Sequence, residues 1–523
     1  MRRLSILLGI VTSILLSLAG LAAPQEKIAP TKACQTLVDL DLSGVTDKRV
    51  HIESAKEMQL QGGDFCEVKG TIEPKIGFVV QLPLQNWTGR FLQIGCGGLC
   101  GHIPNEYAQT YACGPLANGE FAIAMTDMGH EGPGPEFGDD PQLRVDFAYR
   151  GVHQTALAAK AFIAAFYGRA PEHSYFLGCS DGGREALMEV QRFPEDFDGV
   201  TAGSSAMNFL VQNTFYHAWN ARSNVGTDGK PIITAKDLPI LHHAALTACI
   251  AEAGVIADPL RCSFDPSVTA CSPGQKDDCL TPAQVEVARK FYEGPRDASG
   301  LLLTPGGPMP GSELSWAGVF VPKPGEDFIF GRVIAGGAIA HLAFPLPNDP
   351  KLGIDQLKLD RATYEKFLQQ HALYDTTNPD IKPFVERGGK LVLWHGASDP
   401  HISPTNSISY YDAVKATLGE VRAEESVRFF LIPGLYHCEG GEGPVQTDVL
   451  TAMIKWVEEG RAPDELIMRE GDVSRPVFPY PALAKYDGDG DRSRFSSYKP
   501  AAPTLPFVVR KWIGEDLFKP KAP

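Results

Sequence analysis

The chain has 523 residues, more than one hydrophobic core usually spans, so two domains or one domain with a large insertion are expected. Its 43% apolar and 21% charged residues are ordinary globular usage and exclude a disordered or fibrous chain. With 48 Lys and Arg against 63 Asp and Glu, the formal charge of −15 leaves no general basic field for gripping nucleic acid or anionic lipid.

The first residues are not part of the fold. Arg2 and Arg3 precede an apolar run over residues 4–21, and Gly20-Leu21-Ala22 supplies small residues at cleavage positions. That is the anatomy of a secretory signal peptide over residues 1–22, which predicts an exported chain, secreted or periplasmic, starting near Ala23. No later stretch approaches the roughly eighteen uninterrupted apolar residues of a membrane span. Export gives the 11 cysteines meaning, because an oxidising compartment favours disulfides and an odd count leaves at least one thiol over. No Cys-x-x-Cys pair occurs, which argues against a zinc ribbon or a thioredoxin-type site.

Apolar runs at 75–82, 90–95 and 120–126, bounded by Gly, Pro or Asn, read as buried strands. Helical spacing over 146–167 puts Val152, Ala156, Ala159, Phe162 and Phe166 on one face. A strand at 173–179 and a helix at 182–191 follow. After a long interval come strands at 390–394 and 426–432 and helices at 408–418 and 445–459. Alternating strands and helices predict an α/β fold with a mostly parallel sheet covered on both faces. Between 207 and 382 the alternation is lost and Gly, Pro and four cysteines accumulate. Because alternation resumes afterwards, this segment reads as an insertion, with residues 23–206 and 383–523 forming one domain around it.

The chemistry concentrates at Gly178-Cys179-Ser180-Asp181-Gly182, a Gly-x-Ser-x-Gly segment between a predicted strand and a predicted helix. That context marks a nucleophile elbow, in which the glycines permit a strained turn that lifts the serine hydroxyl off the sheet. A serine needs a base and the base an orienting acid. Asp399 follows the strand at 390–394, and His437 follows the strand at 426–432, which gives the order Ser, Asp, His of sheet hydrolases. The competing readings are a turn-forming Asp-Pro for Asp399 and an inert loop histidine for His437. His395 and His401 flank Asp399 but lie before the last strand, so they are poorer bases. Cys179 directly precedes Ser180 and Cys438 directly follows His437; a bridge between them would fix the serine–imidazole distance.

These residues resemble the Cys-Ser, Asp, His-Cys arrangement of the tannase and feruloyl esterase family, to which terephthalate half-ester hydrolases also belong. Residues 90–98 (Arg-Phe-Leu-Gln-Ile-Gly-Cys-Gly-Gly) are similar to its glycine loop, and Thr126-Asp127-Met128-Gly129-His130 to the end of its next strand. Cys279-Leu280-Thr281-Pro282-Ala283-Gln284 resembles part of its lid, and Arg475-Pro476-Val477-Phe478-Pro479-Tyr480-Pro481 its tail. The resemblance implies an α/β-hydrolase fold with the insertion as a lid over the serine, and a small aromatic ester substrate bound between lid and core. It also implies the disulfides Cys34–Cys66, Cys179–Cys438, Cys249–Cys262 and Cys271–Cys279. For Cys96, Cys100 and Cys113 a local bridge to Cys113 is expected, with one thiol left over.

Two departures stand out. The family's Asp-rich calcium loop between the cysteines matching Cys249 and Cys262 is shortened here and nearly without carboxylates, whereas calcium takes six to eight oxygen ligands. No metal and no cofactor are therefore expected. The tail disulfide is absent at both ends, with Phe478 in place of one cysteine and none in Arg494-Phe495-Ser496-Ser497. Asp487-Gly488-Asp489-Gly490-Asp491 begins like a calcium loop, but Arg492 follows and no Glu closes it, so a solvated turn is expected.

The resulting expectation is a serine esterase acting on esters of aromatic acids, feruloyl or galloyl esters among them. Ser180 is the nucleophile, His437 the base and Asp399 its orienter. The oxyanion donors are the backbone N–H of Asp181 and, by resemblance, of Gly97 or Gly98. An exported peptidase or general carboxylesterase would use the same triad, and a non-catalytic binder would have lost part of it. Phe209, Phe215, Tyr216, Trp219, Trp316, Phe328 and Phe330 are candidates to stack on an aromatic acyl group, and Arg332 to hold a carboxylate.

Overall fold

The computed structural model describes residues 26–520 except 106, 250, 252, 253, 350 and 505; the predicted signal peptide lies outside them. Nine strands form one sheet: β1 (Val50–Leu60), β2 (Gly63–Ile72), β3 (Ile76–Pro83), β4 (Arg90–Ile94), β5 (Phe121–Thr126), β6 (His173–Cys179), β7 (Gly199–Gly203), β8 (Lys390–Gly396) and β9 (Val427–Ile432). Their order is β1-β2-β3-β5-β4-β6-β7-β8-β9. The β1–β2, β2–β3 and β3–β5 pairs are antiparallel; every pair from β5–β4 to β8–β9 is parallel. The parallel strands β4, β5, β6 and β8 are buried on both faces and are mostly apolar, which is why they were legible.

Three strands of this sheet escape the sequence reading, each for its own reason. β1 is an edge strand, exposed or half-exposed along nearly its whole length, and its Val-His-Ile-Glu-Ser-Ala-Lys-Glu alternation carries no apolar run. Its partner β2 mixes Asp, Glu and Lys with the buried Phe65, Cys66 and Val68. β7 is only Gly-Val-Thr-Ala-Gly, short and glycine-bounded, and it is a strand because β6 and β8 pair with it on both sides.

The helix Gly151–Tyr167 presses the predicted face onto the sheet; Val152, Ala156, Ala159, Phe162 and Phe166 are all fully buried. Gly168, in the left-handed region at φ +75, ends it. The helix Asp181–Arg192 follows β6 directly and is buried almost throughout.

β7 and β8 are parallel neighbours although residues 204–389 lie between them, and those residues add no strand to the sheet. Part of this segment has a core of its own, in which Tyr216, Leu238, Leu241, Leu280, Val285, Phe291, Trp316 and Phe320 pack together. Its later part behaves differently: Ile334, Ile339, Leu342, Phe367 and Tyr374 join the main core beside Phe147 and Phe209.

Five disulfides close the chain: Cys34–Cys66, Cys96–Cys100, Cys179–Cys438, Cys249–Cys262 and Cys271–Cys279. The expected bridge to Cys113 is corrected. Cys96 and Cys100 meet across a tight turn closed by the Cys100 N–H donating to Gly97 O at 3.0 Å. Cys113 stays a buried thiol whose Sγ lies 3.5 Å from Thr451 Oγ1.

Candidate active site

Ser180 sits between the end of β6 and the first turn of the following helix, at φ +63 and ψ −120, a conformation that costs a non-glycine residue about 1–3 kcal/mol. The turn needs glycine on either side. A Cβ at Gly178 would lie 2.1 Å from Gly182 O, and one at Gly182 would lie 2.9 Å from Cys96 O. The strain is held by backbone hydrogen bonds: the Ser180 N–H donates to Gly203 O at 3.0 Å, and Ser180 O accepts from Ala206 N–H at 3.0 Å.

The loop after β8 brings Asp399 underneath, and the loop after β9 brings His437 alongside. His437 Nε2 lies 2.8 Å from Ser180 Oγ, and Nδ1 lies 2.7 Å from Asp399 Oδ2. Since the carboxylate is an acceptor, Nδ1 carries the proton and Nε2 accepts from the serine hydroxyl. Asp399 is fully buried, and its Oδ1 accepts the N–H groups of His401 at 2.8 Å and Ile402 at 3.1 Å. Burial by itself would raise its pKa, but the imidazoles of His437 and His395 outweigh that and hold the carboxyl well below the usual range. His395, predicted to be a poor base, is a buried support instead. Its Nε2 faces two acceptors, Ile402 O at 3.0 Å and Asp399 Oδ2 at 3.2 Å, so it donates to them and stands behind the acid.

The Cys179–Cys438 bridge joins the elbow to the histidine loop, with Cα atoms 6.0 Å apart. Gln109 braces the same loop from the far side, its Nε2 donating to Cys438 O at 3.0 Å and its Oε1 accepting from Thr447 N–H at 3.1 Å. Asp181, next to the nucleophile, is locked by Arg184, whose Nε and Nη2 donate to its two carboxylate oxygens at 2.7 and 2.9 Å. Its N–H, at the first helical position, has no partner within the helix. The N–H groups of Gly97 and Gly98 likewise have no acceptor among the described residues, and both glycines line the cavity beside Ser180.

That cavity holds about 570 Å³. Of the aromatic candidates, Phe209 and Phe330 line it. Phe215, Tyr216 and Trp316 are fully buried core, Phe328 is exposed, and Trp219 donates its indole N–H to Lys290 O. Arg332 is exposed and does not line the cavity. Among the lining residues not read as such from the sequence are Asn213, His217 and His401. The His401 ring centroid is 4.7 Å from those of His437 and Phe330. Burial, reinforced by His437, drives the His401 pKa well below its ordinary value and that of His217 down to about 3, so both are neutral at physiological pH. No Lys or Arg is among the described residues lining the cavity.

The donor set for a lid cation is poor. Between Cys249 and Cys262 the one described carboxylate, Asp258, is engaged with Arg261 Nη1 at 2.8 Å. In a second convergence, His153, Glu189 and Asp196, the Asp196 carboxylate is already engaged by protein groups, with His153 Nδ1 at 2.6 Å and Lys160 Nζ at 3.9 Å from it. The run 487–491 is an exposed turn after the strand Leu483–Tyr486.

A mostly parallel sheet with a Ser–His–Asp line on the loops at its C-terminal edge defines an α/β-hydrolase. The family profile described as tannase and feruloyl esterase matches residues 61–501, and the chain belongs to that family of carboxylic ester hydrolases. A mono(2-hydroxyethyl) terephthalate hydrolase of Piscinibacter sakaiensis is 32% identical over 84% of this chain and 85% of its own. Two solved structures from Aspergillus oryzae superimpose over 90% of this chain and 100% of theirs: an esterase with a TM-score of 0.78 and 28% identity, and feruloyl esterase B with 0.77 and 27%. Among the described residues no helix is long and apolar enough to cross a membrane.

Proposed function

We propose that this protein is an exported serine esterase that hydrolyses esters of neutral phenolic acids through an acyl-enzyme. The observation that carries the reading is the hydrogen-bonded line Asp399–His437–Ser180 opening into a cavity lined by Phe209 and Phe330, with no Lys or Arg among its described lining residues. Ser180 Oγ attacks the ester carbonyl as His437 Nε2 takes its proton; Asp399 holds the imidazole in that tautomer and stabilises the imidazolium. The N–H groups of Asp181 and of Gly97 or Gly98 receive the oxyanion. His437 then protonates the leaving alcohol, and water, activated by the same imidazole, releases the acid. Side chains, backbone N–H groups and water carry these steps.

The absence of Lys and Arg from the described lining favours a neutral acyl group over a terephthalate half-ester, whose free carboxylate would find no fixed positive charge there. Stacking falls to Phe209 and Phe330, and the amide of Asn213 and the imidazole of His401 offer hydrogen bonds to ring hydroxyls. Residues 207–382 act as the lid, because Phe209, Asn213, His217, Phe330 and Ile334 of that segment close the cavity over Ser180. The lid holds no calcium. The test is hydrolysis of methyl ferulate, methyl gallate and a terephthalate monoester by wild type and Ser180→Ala. Cleavage of the phenolic esters by wild type alone supports the reading; preference for the terephthalate monoester overturns the acyl assignment, and an active Ser180→Ala overturns the mechanism.

A further inference from the structure

Among the five bridges, Cys96–Cys100 closes the shortest loop, with a sequence separation of 4 against 8 to 259 for the others. Chain-entropy stabilisation grows with loop length, so this bridge contributes least to the stability of the fold as a whole. What it encloses is Gly97-Gly98-Leu99, the stretch that supplies the second oxyanion donor in the mechanism above. A Cβ on Gly97 or on Gly98 would meet nothing within 4 Å, and Gly98 sits at φ +65. Two glycines facing open space have large backbone freedom. An oxyanion donor is useful only if it is aimed before charge develops, since reorganising it during the reaction forfeits the gain.

The surroundings remove that freedom from two directions. At the base of the loop, a Cβ on Gly95 would lie 2.6 Å from Gly182 Cα, so the strand end is packed directly against the nucleophile helix. Beneath the ring lies Glu185, fully buried, on the same helix as Asp181. Its Oε1 is 3.3 Å from the Cys96 N–H, which donates to it, and 2.8 and 3.5 Å from the sulfurs of Cys96 and Cys100. Burial and the Asp181 carboxylate keep Glu185 well above the usual carboxyl pKa. Because its charged form is disfavoured, this support adds little negative charge against the substrate oxygen. Cys96, Cys100, Asp181 and Glu185 could converge on a cation, but bridged sulfurs offer it no thiolate.

We infer that the Cys96–Cys100 bridge, seated on the Glu185 carboxyl, is a positioning device that holds the Gly97–Gly98 N–H groups on the oxyanion. This rests on the esterase reading of the same site. Cys96, Cys100 and Glu185 are positioning residues, acting through the glycines they restrain.

The test compares wild type with Cys96→Ala/Cys100→Ala, Glu185→Leu and Glu185→Gln on methyl ferulate. It adds binding of an aryl boronic acid, which adds to Ser180 Oγ and places a tetrahedral oxygen in the oxyanion site, and of the product acid, which does not. Expected are a kcat about 10²-fold lower for the double alanine variant, the scale of one lost oxyanion donor, with KM within about threefold. Boronate affinity falls with kcat, and product affinity does not. Glu185→Leu loses rate in the same way, and Glu185→Gln, which keeps an Oε1 acceptor, recovers most of it. Because Glu185→Leu leaves the bridge intact, it decides the matter should the double variant misfold. Unchanged kcat and boronate affinity in folded variants, beside an inactive Ser180→Ala, overturn the inference alone. A fully active Ser180→Ala overturns the esterase reading and the inference with it.

Discussion

His242, on the helix Leu238–Ala248, stands between two carboxylates: Glu313 Oε2 is 2.8 Å from its Nδ1 and Glu442 Oε1 is 2.9 Å from its Nε2. Glu313 is buried within the insertion, whereas Glu442 belongs to the loop that carries His437, so a single imidazolium joins the two. Burial opposes the charge, but the two carboxylates outweigh it and raise the pKa from 6.5 to about 9. A folded-state pKa above the unfolded one means the stabilisation is complete below pH 6.5 and is lost as pH rises through about 9. The full shift corresponds to about 3 kcal/mol; solvent reaching the partly exposed Glu442 reduces this to about 2 kcal/mol. Denaturant midpoints measured at intervals from pH 6 to pH 10 for wild type and His242→Gln should therefore converge. The variant should be weaker by about 2–4 kcal/mol at pH 6, where Glu313 is left without its cation, and close to wild type at pH 10. Equal slopes for the two proteins across the window from 6.5 to about 9, or an NMR titration of His242 with a midpoint below 7, would refute the reasoning.

Asp399→Asn should leave the geometry intact and lower kcat by about 10⁴-fold, because the wrong tautomer is then held; a loss below tenfold in steady-state kinetics would remove Asp399 from its role. Replacing Cys179 and Cys438 together by alanine opens a loop of sequence separation 259, for which chain entropy gives an ideal loss of about 5–6 kcal/mol and measured bridges less. A drop of about 2–4 kcal/mol in unfolding free energy is expected, with lower kcat from a looser Ser180–His437 distance, and wild-type values of both would contradict the clamp. Chelation by EGTA should move Tm by less than about 1 °C, since a chain without a bound cation has no linkage to lose; a larger fall reversed by calcium would restore the lid site.

The members of the hydrogen-bonded line Asp399–His437–Ser180 were legible because each stands at a local signal. Ser180 has glycines two residues to either side, between a strand and a helix, and Asp399 and His437 follow strands that are mostly apolar. The bridge to Cys113 was misread because spacing along the chain carries no information about which thiols face one another. β1 and β2 were missed because an edge hairpin with a wet face needs no apolar run. Of seven aromatic candidates two line the cavity; the rest pack, or lie exposed, according to helices whose mutual placement no local pattern encodes.

From sequence alone came the element types, the insertion, the identity and chain order of Ser180, Asp399 and His437, and the family resemblance, since periodicity and turn chemistry act over a few residues. Tertiary structure alone decided the antiparallel edge of the sheet and the pairing of Cys96 with Cys100. It also decided the seating of Glu185 beneath the glycine loop and the neutral His401 beside His437. These depend on which distant segments pack together, and such contacts are set by burial of the whole core.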